Sequence, residues 1–385
     1  MIAYTNYSTD ARVRREAETL AALPDYKVFV LTLKESSSPR TYHLEGVEVR
    51  ELNARKYQGK RNSQYLLSYL RFMFLVFLAS NKLLIHRSVD IVHVHNMPNF
   101  LVFSALPPLL FGRKIILDIH DTLVETYLTK FTVPSHPLLI RALYLEESIS
   151  CGLAHKIICV NHVQRKALVK RGIREDKTVV LLNVPDPKIF HPTERTPCRT
   201  DPEPNFKIIY HGTVTTRLSV DLALLAVTRL VDKIPGLEFY VLGDGEGVQE
   251  FRKLSEDLGI QEVIYFMERV PFEKMIAILR GMDLGIVPNR RNMATELMLP
   301  VKMIDCIALG IPVVVPRLRA IEYYFSDDMV TYFEPGDLDS LATAILDVFA
   351  NRAKGMEKAE NAKRFVDHYG WETHKFDLVN LYRSL

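Results

Sequence analysis

The sequence of 385 residues has little of the chemistry that marks several protein classes. Its four cysteines show neither CxxC spacing nor a dense even framework, which argues against a zinc ribbon or a disulfide scaffold and favours reduced thiols. The formal net charge of +3 is too small to indicate a nucleic-acid partner. The first residues contain no apolar run fit for a signal peptide. We therefore expect a cytoplasmic protein that binds no nucleic acid.

Sequence motifs for covalent catalysis and for a P-loop are also missing. The chain has no GxSxG, no Gly-Lys-Ser/Thr loop and no Cys/His pair with nucleophile spacing. It shows no internal repeat and no low-complexity tract. What is present is an ordinary globular composition, 48% hydrophobic and 25% charged, in a chain long enough for two domains.

Strand-like and helical runs alternate along the whole chain. The first half has strand-like runs at 27–33, 90–95, 114–120, 156–160 and 178–182. The pattern restarts after residue 206 with FKIIYHG, LEFYVLG, VIYF, LGIVPN, IPVVV and MVTYF. This alternation predicts an α/β fold with parallel sheets wound in right-handed crossovers.

A proline-rich segment divides the two halves. Residues 185–206 contain six prolines and few apolar side chains, a composition typical of a linker. We therefore predict two doubly wound Rossmann-like domains, residues 1–184 and 207–370, facing each other across a cleft. We expect a C-terminal helix at about 371–385 to pack back on the first domain.

Ligands of doubly wound sheets bind at the carboxyl ends of the strands. In the first domain this rule singles out Asn96, His120 and Asp121, which directly follow two strands. A histidine there could touch a sugar hydroxyl, and the neighbouring aspartate could orient it or contact an acceptor. In the second domain the rule singles out residues 212–217 and the loop 296–305.

The stretch ELMLPVKMIDCIALGIPVVV, residues 296–315, predicts a loop, a helix and a buried strand. Pro300 suits the first helical turn, while Lys302 and Asp305 share the side opposite the apolar face. A lysine near a helix N-terminus favours phosphate, and the carboxylates of Glu296 and Asp305 suit hydroxyl groups. A nucleotide sugar carries both kinds of group. The alternative is an i,i+3 surface ion pair with an unrelated loop glutamate.

The loop YHGTVTTR places Gly212 and Thr213 after a strand and Arg217 before a helix. The backbone N–H groups of such a turn can cradle a diphosphate, and Arg217 can neutralise it. The alternative is a plain strand–helix turn with a solvated arginine. A glycine run at 243–247 invites a dinucleotide interpretation, which we reject because it follows the second strand of its domain.

Two patterns raise the question of a metal. His93, His95, His120 and Asp121 could supply ligands, but strand alternation gives His93 and His95 a common face without an evident third ligand. The triplet Asp-Leu-Asp in GDLDS more plausibly begins a helix, with Asp337 as its N-cap. We therefore predict no metal.

The segment between Arg50 and Ser88 has eight lysines and arginines against one acid, Glu51. Within it, residues 65–85 are mostly apolar but interrupted by Arg71, and no clean run reaches the ~20 residues that span a bilayer. Either this is a buried helix of the first domain or it contacts an anionic membrane surface. The membrane interpretation assigns head groups to the basic residues and insertion to the aromatic ones: Arg55, Lys56, Lys60 and Arg61, and Phe72, Phe74 and Phe77.

Several of these segments resemble retaining glycosyltransferases of family 4, the group 1 glycosyl transferases. The similar segments are DARVRREAETL, DIVHVHN, LDIHD, NVPDPKIFHP, YHGTVTTR, YVLGDGEG, DLGIVP and LPVKMIDCIALGIPVVV. The resemblance covers nearly the whole chain and implies the GT-B architecture. It also implies a nucleoside-diphosphate sugar as substrate, with no resident cofactor.

The resemblance assigns roles to individual residues. Asp305 stands where the family usually has a glutamate that binds the nucleotide ribose, and Glu296 approximates the acid at the donor sugar, one position further upstream than usual. Arg217 occupies the basic diphosphate site, while Leu218 replaces the lysine that is common beside it. His120 matches the family's histidine near the donor sugar.

The function that the resemblance implies is transfer of a sugar with retention of its anomeric configuration. The donor side would comprise Gly212, Thr213, Arg217, Pro300, Lys302 and Asp305. Catalytic roles would fall to His120, Asp121 and Glu296, and Asn96 would lie on the acceptor side. A lipid-linked or growing polysaccharide acceptor at the cytoplasmic membrane surface is expected. The alternatives are a sugar-nucleotide 2-epimerase of the same architecture and a catalytically weak binding subunit.

Overall fold

The computed structural model describes residues 1–57, 62–86, 89–130, 136–185, 190 and 205–385. These residues form two compact units, one of residues 1–183 together with 372–385 and one of residues 184–371. Most of the predicted linker at 185–206 lies outside the described residues, as do Lys60 and Arg61.

The first unit is built on one mixed sheet of short strands. The strands described are β1 Ile2–Ala3, β2 Phe29–Leu33, β3 Thr41–Leu44, β4 Val47–Leu52, β5 Ile91–His95, β6 Lys114–Ile119, β7 Lys156–Cys159 and β8 Thr178–Val180. They lie in the order β3-β4-β2-β1-β5-β6-β7-β8. The order reverses between β1 and β5, so the carboxyl ends of these strands form the switch point of the sheet.

One strand pair departs from the predicted parallel arrangement. β3 runs antiparallel to β4, with Leu44 opposite Val47. The two residues between them, Glu45 and Gly46, have φ of 49° and 79°. Positive φ at both central residues is the geometry of a tight hairpin turn whose twist matches that of the strands. The Glu-Gly pair was therefore the local signal for this edge strand.

The α-helices described in the first unit before the linker are α1 Ala11–Ala21, α2 Asn62–His86, α3 Leu106–Leu110, α4 Leu123–Lys130, α5 Pro137–Leu153 and α6 His162–Lys170. Asp10 caps α1, since its side chain accepts a hydrogen bond from the N–H of Val13 at 3.1 Å. The inner face of α2 belongs to the core, where Phe72 and Val76 are fully buried beside Ile2 and other strand residues. The expectation that Phe72 inserts into a membrane is therefore wrong.

The second unit contains a parallel sheet. Its described strands are β9 Phe206–His211, β10 Leu237–Leu242, β11 Ile264–Met267, β12 Leu284–Ile286, β13 Val313–Pro316 and β14 Thr331–Phe333, in the order β11-β10-β9-β12-β13-β14. Every pairing is parallel. The switch point lies between β9 and β12. The α/β class predicted from the alternation is thus confirmed in both units.

Helices cover both faces of this second sheet: α7 Val220–Leu230, α8 Val248–Asp257, α9 Phe272–Arg280, α10 Val301–Ala308, α11 Arg319–Glu322, α12 Leu338–Ala350 and α13 Arg352–Tyr369. As predicted, Asp337 caps α12 by accepting hydrogen bonds from the N–H groups of Asp339 and Ser340. A last helix, α14 Trp371–Arg383, lies in the first unit from Glu372 onward. There the Tyr382 hydroxyl lies 2.8 Å from Nδ1 of His93.

Helix α10, which carries Lys302 and Asp305, packs closely on the sheet. A Cβ built on Gly285 of β12 would lie 2.6 Å from Sγ of Cys306 and 3.2 Å from its Cβ. Both residues belong to the buried centre of the unit, and Cys306 is 1% exposed. The missing side chain at Gly285 therefore sets the distance between α10 and β12.

This contact predicts a compensating pair of substitutions. Gly285→Ala should lower the free energy of unfolding by about 1–3 kcal/mol, because overpacking forces α10 away from the sheet. Adding Cys306→Ala removes the clashing sulfur and should recover part of that loss. Chemical denaturation of both single variants and the double variant measures the coupling energy. Additive losses would show that the two residues are not in tight contact.

Candidate functional site

The loops after β9 and β10 are held together by their backbones. The N–H of Val214 donates to the carbonyl of Asp244 at 2.8 Å, and the N–H of Gly247 donates to that of Val214 at 3.1 Å. A Cβ on Gly243 would lie 1.9 Å from a backbone oxygen, and one on Gly245 would lie 2.1 Å from another. The glycine run therefore serves close packing of two loops, in agreement with our rejection of a dinucleotide site. It fixes the turn that follows β9.

Lys302 lies against this turn, and no ion pair reaches it from the described residues. Its Nζ is 3.7 Å from the centroid of the Tyr210 ring, and a Cβ on Gly212 would lie 3.6 Å from it. Nζ is buried and has no hydrogen-bond partner among the described residues. Burial lowers the pKa of Lys302 to about 7, although the charge of Asp305 acts in the opposite direction. The ammonium group is thus held in place without an acceptor.

Arg217 supplies a second buried nitrogen for which the described residues provide no acceptor. It lies in the short 3₁₀ turn Thr216–Leu218, which Thr215 begins by accepting a hydrogen bond from the N–H of Arg217 at 3.4 Å. One terminal nitrogen of the guanidinium, Nη1, is buried without a hydrogen-bond partner among the described residues. Burial raises the pKa of Tyr210 and the charge of Arg217 opposes that shift, while the same charge adds to the effect of burial in lowering the pKa of Lys302. Arg217 and Lys302 therefore share one region. Buried donors that lack acceptors indicate a missing anion or water.

Asp305 points toward a histidine instead of the neighbouring lysine. Its Oδ2 is 3.1 Å from Nε2 of His211, the last residue of β9. In the described chain no ion pair joins Lys302 to Asp305, and Asp305 is 7% exposed. The alternative of a solvated i,i+3 pair is therefore wrong. Pro300 occupies the N-cap of α10, so the free N–H groups of that helix begin beside Lys302.

Glu296 is bound by arginines of its own neighbourhood. Its Oε1 accepts from Nη1 of Arg291 at 2.7 Å, and its Oε2 accepts from the backbone N–H of Arg319 at 3.1 Å. Across the described residues, no hydrogen bond or ion pair links Glu296 to Lys302 or Asp305. The structure therefore joins Gly212, Arg217, Lys302 and Asp305 around one turn but gives Glu296 different partners.

In the first unit the central group is the carboxylate of Asp118 on β6. Arg12 donates from Nε and Nη2 to its two oxygens, both at 2.9 Å, while Nη1 of Arg12 donates to the carbonyl of Leu181 at 3.0 Å. Burial opposes ionisation of Asp118, but the charges of Arg12 and His120 and the hydrogen bonds from His120 and His95 outweigh it. The pKa of Asp118 is therefore well below its usual value.

His120 is held by this carboxylate. Its Nε2 lies 3.0 Å from Oδ2 of Asp118, which also lies 3.1 Å from Nδ1 of His95. Burial lowers the pKa of His120, but Asp118 outweighs this and the net shift is upward. Nε2 therefore donates to Asp118, which leaves Nδ1 of the partly exposed ring for a ligand.

Asn96 ties the loops after β5 and β6 together. Its amide nitrogen donates to Oδ1 of Asn99 at 2.7 Å and to the carbonyl of Asp121 at 2.8 Å. Its oxygen accepts from the N–H of His120 at 2.7 Å. The side chain of Asn96 thus positions the backbone of His120 and Asp121, whereas its predicted acceptor-side role stays a prediction.

A group of four buried side chains, one of them Asp118, corrects the expectation that His93 and His95 lack a third potential metal ligand. Glu16, His93, His95 and Asp118 bring candidate ligand atoms within 4.8 Å of one another, and Asp121 does not belong to this group. Arg12, however, already binds both oxygens of Asp118 and lies 3.1 Å from Glu16. A divalent cation would have to share these carboxylates with a guanidinium.

Within this group the pKa values of the side chains shift in different directions. Burial raises the pKa of Glu16 to about 7, against the charge of Arg12. Burial also lowers the pKa of His93 well below its usual value, and that of His95 less far. Sequence reasoning missed Arg12, Glu16 and the central role of Asp118. The only signal was two opposite charges, Arg12 and Glu16, four apart on a short helix.

Two sequence families match this chain. Residues 11–188 match "Glycosyltransferase Family 4", and residues 205–351 match "Glycosyl transferases group 1". D-inositol 3-phosphate glycosyltransferase of Corynebacterium urealyticum is 25% identical over 170 residues, which are 42% of this chain and 39% of that protein. GDP-mannose-dependent alpha-(1-6)-phosphatidylinositol monomannoside mannosyltransferase of Mycolicibacterium smegmatis is 24% identical over 169 residues, 43% and 44% of the two chains. The matches thus span less than half of these relatives' lengths.

Solved structures resemble the whole chain. Sucrose-phosphate synthase from Thermosynechococcus elongatus has a TM-score of 0.80 at 15% identity and covers 100% of this chain and 97% of its own. Anabaena HepE in complex with UDP-glucose has a TM-score of 0.68 at 15% identity, with 100% and 98% coverage. At these identities the likeness shows the fold alone. It confirms the GT-B architecture of two Rossmann-like domains.

The surroundings of Asp118 predict pKa shifts of opposite direction for His120 and His93. The His120 ring should titrate above its ordinary pKa of 6.5, because Asp118 stabilises the imidazolium, while the pKa of His93 should lie well below the ordinary value because burial disfavours its charge. Ring-nitrogen NMR against pH, with His120→Gln for assignment, measures both. The charge of His120 should add stability that is complete below about 6.5 and is lost as pH rises through the higher folded-state pKa. A His120 pKa below 6.5 would contradict this.

Proposed function

The chain belongs to the glycosyltransferases of family 4, and we propose that it transfers a sugar from a nucleoside-diphosphate sugar to a lipid-linked or growing polysaccharide acceptor with retention of configuration. The observation that carries this proposal is the pair of cations in the second unit. Lys302 and Arg217 each present a buried nitrogen that has no acceptor in the described part of the chain, next to a turn of backbone amides. A diphosphate supplies the missing acceptors.

The donor would lie on the groups that surround this pair. The diphosphate would contact Arg217, Lys302 and the backbone at Gly212 and Thr213, with the first N–H groups of α10 after Pro300 adding their dipole. Asp305, held by His211, offers its remaining carboxylate lone pairs to ribose hydroxyls. The proposal supports a donor role for Glu296 less strongly, because Arg291 and Arg319 already bind its carboxylate.

The chemical step needs no protein nucleophile and no metal. The acceptor oxygen forms a bond to the anomeric carbon as the bond from that carbon to the diphosphate breaks, and the departing phosphate oxygen takes the acceptor proton. Attack from the face that the leaving group vacates retains the configuration. Arg217 and Lys302 stabilise the charge that develops on the diphosphate, a role often filled by a cation. His120 and Asp121 would orient the donor sugar and the acceptor hydroxyl.

Two features support a lipid-linked or polysaccharide acceptor at the cytoplasmic membrane surface. One relative acts, by its name, on a phosphatidylinositol monomannoside, which is a lipid. The first unit also has an acid-poor, apolar helix α2. The acceptor would meet the first unit on the side of Asn96.

Two other functions remain distinguishable by experiment. A sugar-nucleotide 2-epimerase would use the same cations and transfer nothing. A catalytically weak binding subunit is favoured by Leu218, which replaces the usual lysine beside Arg217, and by the arginines that bind Glu296. The paired cations would serve all three functions, so turnover must decide among them.

The pKa of Lys302 predicts proton uptake on ligand binding. At pH 8 Lys302 is mostly neutral, since its pKa is about 7, and a diphosphate raises that pKa. Binding of UDP or GDP should therefore take up close to one proton, and affinity should fall by up to about tenfold per pH unit above 7. Calorimetry in Tris and in HEPES, whose ionisation enthalpies differ, measures the uptake.

Matched lysine variants make this test specific. Lys302→Met should abolish the uptake and weaken nucleotide binding by about 1.5–3 kcal/mol, the value of a hydrogen bond to a charged group. Lys253→Met, on the exposed side of α8, should change neither. Tight binding at pH 8 without uptake in the unsubstituted protein would remove Lys302 from the diphosphate site.

The proposed reaction predicts turnover that survives chelation. Radiolabelled UDP-glucose and GDP-mannose, incubated with EDTA and a lipid or glycan extract, should yield a labelled acceptor, since Arg217 and Lys302 replace a cation. NMR of the product should show the anomeric configuration of the donor. An epimerised nucleotide sugar would favour the epimerase, and binding without turnover would favour the subunit. Activity lost with EDTA and restored by a divalent ion would overturn the metal-free assignment.

A further inference from the structure

Helix α2 is apolar on its outer face as well as its inner face. Opposite the buried Phe72 and Val76, six large side chains are exposed at helical spacing: Leu66, Leu67, Leu70, Phe74, Phe77 and Leu78. Phe74 has 59% of its surface exposed. A surface helix of a globular protein normally turns polar residues outward, whereas this second face is left uncovered by the residues that the structure describes.

Two neighbouring elements extend this face. The 3₁₀ turn Asn99–Ala105 packs between α2 and α5, with Ser80 donating to the carbonyl of Ser104 at 3.3 Å. It continues into α3, where the last residue, Leu110, is 85% exposed and the following Phe111 is 74% exposed. On α5 the exposed apolar side chains are Leu138, Leu139, Leu145 and Ile149. The outer faces of α2, α3 and α5 are named here the apolar surface.

The exposed charges carried by α2, α3 and α5 themselves have one sign, whereas Arg113, two residues after Phe111, pairs with the exposed Asp90. Helix α2 contains no acid, and none occurs from 99 to 117. The two glutamates of α5 point inward, where Glu147 is buried against Arg171, and Glu146 binds Ser150 at 3.2 Å. The exposed charges on α2 and α5 are therefore basic: Arg71, Lys82 and Arg141. Such a surface complements anionic head groups.

Helix α2 would lie on a bilayer instead of crossing it. By length and composition, residues 63–83 could span a membrane. Its inner side chains, however, share one core with strand residues such as Ile2, Leu31 and Val94. Removing the helix from that core would expose the sheet, so only its outer face is free to enter lipid.

We infer that the apolar surface binds the face of an anionic lipid bilayer, with leucine and phenylalanine side chains of α2, α3 and α5 inserted among the acyl chains and Arg71, Lys82 and Arg141 at the head groups. The sequence indicated membrane contact only for residues 50–88. The contribution of α3 and α5 to the surface became evident from the fold. The inference rests on the proposed function only for the acceptor, and membrane binding itself requires no substrate.

The apolar surface is joined to the loop that holds His120. Glu146 on α5 accepts a hydrogen bond from Asn99 at 3.4 Å, Asn99 accepts one from Asn96 at 2.7 Å, and Asn96 binds the backbone N–H of His120. A lipid-linked acceptor held at this surface would therefore present its head group near Asn96. The bound lipid would then serve as the acceptor as well as attach the protein to the membrane.

The test is sedimentation of the full chain with vesicles of phosphatidylcholine alone or with about a third of phosphatidylglycerol. The protein should pellet with the anionic vesicles at low salt and be released at high salt, because the attraction is screened. Phe74→Ser and Leu110→Ser should each reduce the partition coefficient by about tenfold, since each withdraws one large apolar side chain from lipid.

The control is Phe376→Ser on α14, an equally exposed phenylalanine outside the apolar surface, which should leave binding unchanged. All three positions are exposed, so unaltered thermal midpoints are expected and show that the fold is intact. No pelleting with anionic vesicles, or equal loss in the Phe376 variant, would overturn the inference. A dimer in sedimentation velocity that Phe74→Ser dissociates, without lipid binding, would assign the surface to a second copy and overturn it as well. UDP and GDP binding, measured separately, tests the proposed function without membranes.

Discussion

The bidentate pair between Arg12 and Asp118 holds the first unit's site together. It joins α1 to β6, and a third nitrogen of Arg12 reaches the backbone after β8. A buried carboxylate without partners would be neutral or would destabilise the fold by several kcal/mol. Because Arg12 keeps Asp118 ionised, Asp118 can in turn hold His120 with its pKa raised. Removal of Arg12 would therefore also affect the candidate catalytic histidine, His120, because Asp118 contacts both residues.

The second unit also buries charged groups, but there they are cations. Lys302 and Arg217 each bury a nitrogen for which the described residues provide no acceptor, and burial lowers the pKa of Lys302 to about 7. A site that stays partly uncharged until an anion arrives avoids the full cost of an unpaired charge. The contrast between the satisfied carboxylate in one unit and the unsatisfied cations in the other supports the assignment of the diphosphate to the second unit.

The candidate site could be predicted from the sequence where its residues are local. Gly212, Arg217, Lys302 and Asp305 follow strands or begin helices, and strand ends are recognisable from short β-branched runs and turn residues. The partners of Glu296 could not be predicted. Arg291 is five residues away and Arg319 follows the next strand, so that only the folded loop shows which arginine reaches the carboxylate. Spacing from Asp305 was a poor guide to that pairing.

The sequence by itself determined the order and type of the elements, the α/β class and the strand-end position of most site residues, because hydrophobic periodicity and turn chemistry are local properties. Only the tertiary structure decided which distant charges meet. Glu16, His93 and Asp118 come together because β1 lies between β2 and β5 and places α1 beside β5 and β6. It also decided which face of α2 is core, since both faces of that helix are apolar and no periodicity distinguishes them.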